Sequence, residues 1–243
     1  MFLDCQVFAF IMATVIITGA SSGIGEATAL ELKKQGYQVV GTYNHSLDRA
    51  EFLVKNFGVD MVKCDVSSES QVEELFSYAE KKYGKVSAVI SNAGVAIMQK
   101  PIIDVSVSEI DSAISVNLKG TLLVNKRAVL SMLSGGGKII NVSSVFGLEG
   151  GSCEVVYSAT KSGVLGLTRA LSEELSNSEI SVCAVALGLI DTPMNSHLSN
   201  EDKLSFVKEY GLNKVPSSEQ VAKEILKILK LDDINGKVFK IFC

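Results

Sequence analysis

Short runs of β-branched and other apolar residues alternate along the chain with longer segments in which apolar residues recur every three to four positions. The short runs are typical of buried strands, and the longer spacing predicts amphipathic helices. Regular alternation of the two predicts an α/β fold, a parallel sheet with helices on both faces. The seven predicted strands are TVIIT (14–18), QVVGT (38–42), DMVKC (60–64), SAVIS (87–91), KIINV (138–142), SVCAVA (181–186) and KVFKIF (237–242). The predicted helices span about 23–35, 47–57, 69–83, 106–134 with a break, 155–178 and 218–230.

The 243 residues contain no repeat, proline-rich linker or low-complexity tract that would divide them. We therefore expect a single domain over residues 14–243. The stretch 189–217 lacks strong periodicity and carries Pro193 and Pro216, so it is interpreted as a substrate lid over one end of the sheet. A plain surface loop is the alternative interpretation.

The N-terminus is apolar from Val7 to Ile17 except for Thr14. This run is shorter than the roughly 20 apolar residues of a membrane-spanning helix. A signal peptide needs a basic first region, where this chain has Asp4 and Gln6. We interpret residues 1–13 as an extension before the first strand, with Met12 as an alternative start.

Composition narrows the function classes. A hydrophobic fraction of 47% with a net charge of −4 indicates a folded protein. The chain has no cluster of basic residues, so nucleic acid and membrane surfaces are not expected as partners. The cysteines are odd in number, widely spaced and without a C-x-x-C pair, which is typical of reduced thiols in a cytoplasmic protein. With two histidines, neither in metal-ligand spacing, we expect no metal site.

Three glycines, Gly19, Gly23 and Gly25, lie at the junction of the first predicted strand and the first predicted helix. Glycines there permit close backbone approach, and a helix N-terminus attracts a pyrophosphate. The G-x-x-x-G-x-G spacing differs from the common G-x-G-x-x-G, so a turn that merely requires small residues is the alternative. The stretch also fits the G-x-S-x-G elbow of serine hydrolases around Ser21, but too few residues precede it to supply that elbow's oxyanion loop.

Tyr157 and Lys161 are four residues apart in a predicted helix, so their side chains share one face. A tyrosine acts near neutral pH only if its pKa of about 10 falls by about 3 units, which corresponds to roughly 4 kcal/mol. An ammonium about 4 Å away contributes up to about 4 kcal/mol at an effective dielectric constant of about 20. The pair therefore predicts an acid–base site, and two exposed side chains one turn apart are the alternative.

Further residues surround this pair in sequence. Ser144 lies 13 positions before Tyr157, just after a predicted strand; Asn117 lies at the break in the fourth helical stretch; and Asn92-Ala93-Gly94 follows the fourth strand. Together with the glycine turn, these motifs resemble the short-chain dehydrogenase/reductase family over about residues 14–242. The resemblance implies a Rossmann-type sheet in the order 3-2-1-4-5-6-7. It also implies hydride transfer between a nicotinamide cofactor and a carbonyl or alcohol.

The resemblance also implies roles for the Asn-Ser-Tyr-Lys tetrad. Tyr157 would donate the proton in reduction, Lys161 would lower the pKa of Tyr157 and hold the nicotinamide ribose, and Ser144, preferred to Ser143, would bind the substrate oxygen. Asn117 would anchor a water that relays protons. The implied cofactor-binding residues are Gly19, Ser21, Ser22, Gly23, Ile24, Gly25, Asp65, Val66, Asn92, Ala93, Gly94, Tyr157, Lys161, Gly188, Ile190 and Thr192.

Two features depart from the family pattern. The late motif usually begins Pro-Gly, whereas this chain has Leu187-Gly188, so we expect a looser backbone there. The chain also ends at Phe242-Cys243, where many relatives continue into a glycine-containing tail, so an oligomer contact or gate made by that tail is in doubt.

The cofactor preference is inferred from the end of the second strand. No carboxylate follows Gly41 at the position that would bind a ribose 2′-hydroxyl, which favours NADP(H), with NAD(H) as the alternative. Ser22, at a position often basic in NADP-preferring relatives, weakens this inference. The candidate 2′-phosphate contacts are Asn44, His45, Ser46 and Arg49.

The chain is most similar to the 3-oxoacyl-acyl-carrier-protein reductases and related ketoreductases of the family. We therefore expect a small-molecule carbonyl or alcohol substrate, with an acyl thioester as one candidate. The resemblance implies a homodimer or homotetramer built through helices near 106–134 and 155–178. A dinucleotide-binding sensor or scaffold without turnover is the alternative function.

Overall fold

The computed structural model describes residues 13–242. The predicted extension, apart from residue 13, and the alternative start at Met12 lie outside the described residues. The rest of the chain forms one α/β domain around a single sheet.

The sheet contains seven parallel strands in the order β3-β2-β1-β4-β5-β6-β7, which confirms the predicted order and direction. Each observed strand lies within two residues of a predicted one at both ends. The strands are β1 (Thr14–Ile17), β2 (Gln38–Tyr43), β3 (Asp60–Lys63), β4 (Val86–Ser91), β5 (Gly137–Ser144), β6 (Ile180–Leu187) and β7 (Val238–Ile241).

Helices cover both faces of this sheet. Those predicted from sequence begin and end close to the expected positions, with differences mainly at the break near residue 117 and at the end of the long helix that contains Tyr157. The α-helices are α1 (Gly23–Lys34), α2 (Leu47–Phe57), α3 (Glu69–Tyr83), α4 (Val107–Ala113), α5 (Thr121–Met132), α6 (Phe146–Glu149), α7 (Val155–Glu174), α8 (Asn200–Glu209) and α9 (Ser218–Lys230). Within residues 13–242, none of the helices has the length and apolar character required to cross a bilayer.

The sheet separates two apolar cores, because successive residues of a strand point to opposite faces. In β1, Val15 and Ile17 pack on the side of α1 and α9, where Leu32 and Ile225 are fully buried. Ile16 between them packs on the other side, with Phe76 of α3. Both faces of the central strands are therefore covered, as expected for an all-parallel sheet. The carboxyl ends of the strands remain open at one edge, where such folds bind ligands.

The stretch 189–217 contains a short 3-10 helix, Pro193–Asn195, and one α-helix, α8, neither of which the sequence pattern predicted. Ser199 and Asp202 form a capping box that begins α8. No residue of α8 is fully buried, so its apolar positions do not produce a clear helical period. At the base of the segment, Asp191 N donates to Pro216 O at 2.9 Å, which brings the two ends of the segment together.

Candidate active site

The turn after β1 is tied to the ends of the two neighbouring strands. Gly19 N donates to Thr42 Oγ1 at 3.0 Å, on the β2 side. Asn92 Nδ2 donates to Thr18 O at 3.0 Å and to Gly19 O at 3.1 Å, on the β4 side. Thr18 Oγ1 accepts from the backbone N–H groups of Asn92 and Ala93, both at 3.0 Å. The Asn92 side chain therefore supports the glycine turn, and Thr18 and Thr42 are supporting residues that sequence reasoning missed.

Two of the three glycines are required by close contact. A Cβ on Gly25 would lie 2.5 Å from Asn92 Nδ2 and still closer to Gly19 O, so α1 begins directly against the turn. Gly19 has φ of 65° and a Cβ there would lie 2.9 Å from Ala93 Cα. The Ser22 side chain makes no capping hydrogen bond to α1. Small residues and a helix N-terminus of this kind fit the pyrophosphate of a dinucleotide.

The residues predicted to contact the adenosine half lie farther along the strand ends. Asn44, His45 and Ser46 are exposed after β2. Arg49 Nε donates to Glu26 Oε2 at 2.9 Å, so a carboxylate in the first turn of α1 already pairs with this candidate for a 2′-phosphate.

After β3, the acidic candidate is held by a local turn. Asp65 Oδ1 accepts from Ser67 N at 2.9 Å and from Ser67 Oγ at 2.7 Å. Val66 is buried, and a Cβ on Gly120 would lie 2.6 Å from Val66 Cγ2. Val66 and Gly120 thus pack together where β3 ends, next to the helical break near residue 117.

Tyr157, Lys161 and Ser144 meet at one wall of a cavity. Tyr157 and Lys161 lie one turn apart on α7, and Ser144 ends β5. Ser144 lies close enough to the Tyr157 hydroxyl to lower its pKa. Ser144 Oγ also accepts from Phe146 N at 3.2 Å. Lys161 Nζ lies 5.6 Å from the Tyr157 ring centroid and donates to Val142 O at 3.0 Å. The neighbouring Ser143 instead donates to Lys161 O at 2.9 Å, which anchors α7 to β5.

Asn117 occupies the predicted break, which the structure shows to be a π-helix, Ile114–Gly120, between α4 and α5. Its side chain is fully buried, accepts from Val95 N at 2.8 Å and donates to Val95 O at 2.9 Å and Thr160 Oγ1 at 3.2 Å. A Cβ on Gly94 would lie 3.2 Å from Asn117 Oδ1 and 3.6 Å from Lys161 Nζ. The π-helix thereby brings Asn117 next to Lys161, and Gly94 leaves the space between them open.

The electrostatics of the pair differ from the sequence expectation. Burial raises the pKa of Tyr157 to about 12; the Glu154 carboxylate adds to this rise and the Ser144 hydrogen bond opposes it. Burial lowers the pKa of Lys161 to about 8. The expected lowering of the Tyr157 pKa by Lys161 is therefore wrong for these side chains alone. Lys161 Nζ contacts the Tyr157 ring and the Val142 carbonyl, and the loss of solvent around both groups has the largest effect on their pKa values.

The cavity measures about 350 Å³ and lies between the carboxyl edge of the sheet and the 189–217 segment. Asn44, His45, Ser46 and Asp65 do not line it, and Ser21 and Ser22 line a separate groove between α1 and α9. Glu154 and Gln99 also line the cavity, although sequence reasoning did not single them out. The predicted residues that line it are Ile24, Asn92, Gly94, Ser144, Tyr157, Lys161, Gly188, Ile190 and Thr192.

The Leu187-Gly188 stretch is held despite its missing proline. Val145 N donates to Leu187 O at 2.9 Å, and Gly188 N donates to Ile241 O at 3.2 Å. A Cβ on Gly188 would lie 2.9 Å from both Phe206 and Phe242. Hydrogen bonds to both neighbouring strands and two aromatic rings therefore restrain the backbone, so the expected looseness is not observed.

The fold and this edge define the class of protein, an α/β dinucleotide-binding oxidoreductase. A family model described as short chain dehydrogenase matches residues 13–203, and the chain belongs to that family, the short-chain dehydrogenases/reductases. The chain thus acts on CH–OH or C=O groups with a nicotinamide cofactor.

Several characterised and uncharacterised proteins are similar to the chain. It is 34% identical to the 3-oxoacyl-[acyl-carrier-protein] reductase FabG of Thermotoga maritima over 217 residues, which is 87% of each chain. It is 36% identical over 191 residues to an uncharacterized oxidoreductase of Staphylococcus aureus, covering 77% of this chain and 82% of that one. A crystal structure of 3-ketoacyl-(acyl-carrier-protein) reductase from Brucella melitensis complexed with NADH superposes with a TM-score of 0.88 at 25% identity, over 94% of this chain and 96% of that one.

Proposed function

We propose that the chain reduces a 3-oxoacyl compound or a similar ketone to the corresponding alcohol, with NADPH as the favoured cofactor. The observation that carries this proposal is the meeting of Tyr157, Ser144 and Lys161 at one cavity wall beside the glycine turn. The reductases of Thermotoga maritima and Brucella melitensis support the substrate class. The cofactor, when bound, supplies the hydride that adds to the carbonyl carbon.

The chain's own residues supply the proton and the orientation. Burial raises the pKa of Tyr157 to about 12, so its hydroxyl carries a proton near neutral pH. That proton would pass to the carbonyl oxygen as negative charge develops on this oxygen during reduction. Ser144 lies beside that hydroxyl and would hold the same oxygen. Lys161 would bind the nicotinamide ribose, and Asn117 would fix the water that returns a proton toward Lys161. The segment 189–217 would cover the substrate.

The remaining assignments concern the dinucleotide. Its proposed contacts are the glycine turn (Gly19, Ser21, Ser22, Gly23, Ile24, Gly25), Asp65 and Val66, Asn92 to Gly94, and Gly188, Ile190 and Thr192. The preference for NADPH rests on the absence of a carboxylate after β2, and Asn44, His45 and Ser46 are exposed there. The ratio of kcat/KM with NADPH to that with NADH measures this preference, and a ratio below one would contradict it.

The chain is also proposed to form a cytoplasmic homodimer or homotetramer. Exposed apolar side chains along the π-helix, α5 and the start of α7 support an interface, and the free thiols of the described cysteines support the location. These apolar residues are Ile114, Leu122, Leu130, Leu133 and Val155. Light scattering after size exclusion measures the assembly, and a mass of 26.0 kDa would contradict it.

Tyr157→Phe tests the enzymatic proposal against the dinucleotide-sensor alternative. The variant keeps the ring and removes the proton donor, so we expect kcat for ketone reduction to fall by about 10²–10⁴-fold. NADPH affinity, measured by fluorescence titration, should change little. An unchanged rate would show that the proton comes from another group, and a wild-type protein that binds NADPH without reducing any ketone would favour the sensor.

A further inference from the structure

The cavity that contains Tyr157 has an acidic side. Glu154 reaches it from the start of α7, and Asp202 and Glu209 reach it from α8. The basic side chains at the cavity are Lys161, whose Nζ donates to Val142 O, and His197 of the 189–217 segment. A substrate whose carbonyl reaches Tyr157 therefore shares the cavity with these carboxylates.

Glu154 is the carboxylate nearest to Tyr157 in the chain, since it immediately precedes α7 and lies three residues before the tyrosine. It is half-buried, and burial raises the pKa of its carboxyl, while the Gln99 and His197 side chains oppose this rise. Its charge adds to the rise in the Tyr157 pKa, which agrees with its position near the hydroxyl. Glu154 thus lies close to the point where the substrate oxygen would bind.

The acidic groups in and near the cavity differ in their polar partners. Asp202 is held by Ser199 in the capping box of α8. Glu149, just outside the cavity, pairs with Lys240 at 3.6 Å. Across residues 13–242, no lysine or arginine lies within ion-pair distance of Glu154 or Glu209. No lysine or arginine of the described residues therefore offsets the charge of these two carboxylates on the cavity side.

We propose that Glu154, assisted by Glu209, makes this cavity favour neutral or cationic ketones over keto acids. The inference rests on the proposed reductase function and names the substrate class within it. A carboxylate bound about 6 Å from one of these groups, at an effective dielectric constant of about 40, is disfavoured roughly tenfold relative to a neutral group.

The test uses three acetoacetyl compounds of similar size and different charge: acetoacetylcholine, ethyl acetoacetate and N-acetoacetylglycine. Oxidation of NADPH and NADH is followed at pH 7.5 for the full chain. We expect kcat/KM for the anionic compound to be at least about tenfold below that for the neutral ester, with the cationic ester equal to or above the neutral one.

Glu154→Gln keeps a hydrogen-bonding group beside Gln99 and removes the charge, so the ratio of anionic to neutral kcat/KM should rise about tenfold. Glu209→Gln, at an exposed position, should raise the same ratio by a smaller factor and provides the test if the first variant does not fold. Glu174→Gln, at the opposite end of α7 and outside the cavity, is the matched control and should leave the ratio unchanged.

The outcomes separate the two proposals. Turnover of none of the three compounds with either cofactor would contradict the reductase function itself. Turnover with an anionic-to-neutral ratio near one, or with a ratio that neither glutamate variant changes, would contradict the charge selection and leave the reductase function intact.

Discussion

Lys161 lies only 5% exposed, between the Tyr157 ring and the Val142 carbonyl, without a carboxylate partner in the described part of the chain. Burying an ammonium in this way lowers its pKa, to about 8 here. This lowered pKa also affects stability, because the charged form of Lys161 is less favourable in the folded chain than in the unfolded chain. The residue proposed to bind the ribose therefore destabilises the fold at neutral pH.

Lys161→Met should remove this cost, so the stability gained by the substitution should depend on pH. Below pH 8 the ammonium is charged in both the folded and the unfolded chain, so the full cost of burying the charge lowers the stability of the fold. Between pH 8 and about 10.4 the unfolded chain keeps the proton that the folded chain has released, and this cost disappears as the pH rises. The stability of the variant relative to wild type should thus be greater at pH 7 than at pH 10.5 by up to about 3 kcal/mol.

Urea unfolding of both proteins at the two pH values measures this difference. Lys55→Met, at an exposed position of α2, is the control and should show no such dependence. A Lys161→Met effect that is equal at pH 7 and pH 10.5 would contradict the burial argument.

At this scale the sequence located the Tyr157, Lys161 and Ser144 positions because spacing along a helix and after a strand is a local property. The directions of the pKa shifts were not predictable, since they depend on burial by distant segments. Thr18 and Thr42 were missed for a related reason: their role is to accept hydrogen bonds from residues 23 to 75 positions away.

At the scale of elements, α7 carries the site on one face and packs against the π-helix with another. Gly163 and Gly166 lie three residues apart in this helix but differ in surroundings. A Cβ on Gly163 would lie 2.9 Å from Leu118 Cδ1, next to Asn117, whereas nothing lies within 4 Å of the Cβ position on Gly166. Gly163 therefore permits the helix contact that brings Asn117 to the site, whereas Gly166 has no part in this contact.

Gly166→Ala should stabilise the chain by about 0.5–1 kcal/mol, because alanine loses less backbone freedom in a helix and meets no neighbour. Gly163→Ala should gain less or lose stability, and should also lower kcat, because Leu118 must move. Urea unfolding and ketone reduction of both variants measure these effects. Equal stability changes in the two variants would show that the Leu118 contact does not restrict the helix.

Periodicity predicted the long elements of the fold because their buried faces repeat along the sequence. The π-helix was predicted only as a break, since its extra residue per turn disturbs the helical period without producing a pattern of its own. The helix α8 was missed because no residue of it is fully buried. The two elements that the sequence predicts least well are thus the one that carries Asn117 and the one that lines the cavity opposite Tyr157.

At the scale of the whole molecule, the 189–217 segment is joined to the last strand by aromatic rings. Phe206 and Tyr210 of the segment stack with centroids 4.4 Å apart, and Tyr210 stacks on Phe242 after β7 at 5.0 Å. Phe206 and Phe242 also cover Gly188 at the cavity edge. The C-terminal residues of the described chain therefore hold the segment over the site.

Phe242→Ala should loosen the segment without unfolding the domain, because it removes one stacked pair worth about 0.5–1.5 kcal/mol. We expect trypsin to cleave at Lys203 and Lys208 of α8 roughly two- to tenfold faster, and KM for the ketone to rise while NADPH affinity changes little. Phe57→Ala, which removes an exposed ring at the end of α2 instead, is the control for loss of an aromatic side chain. Cleavage at Lys203 and Lys208 that is no faster in Phe242→Ala than in this control would contradict the prediction. The segment would then be held by the hydrogen bond between Asp191 and Pro216 at its two ends, and Phe242 would have no part in covering the cavity.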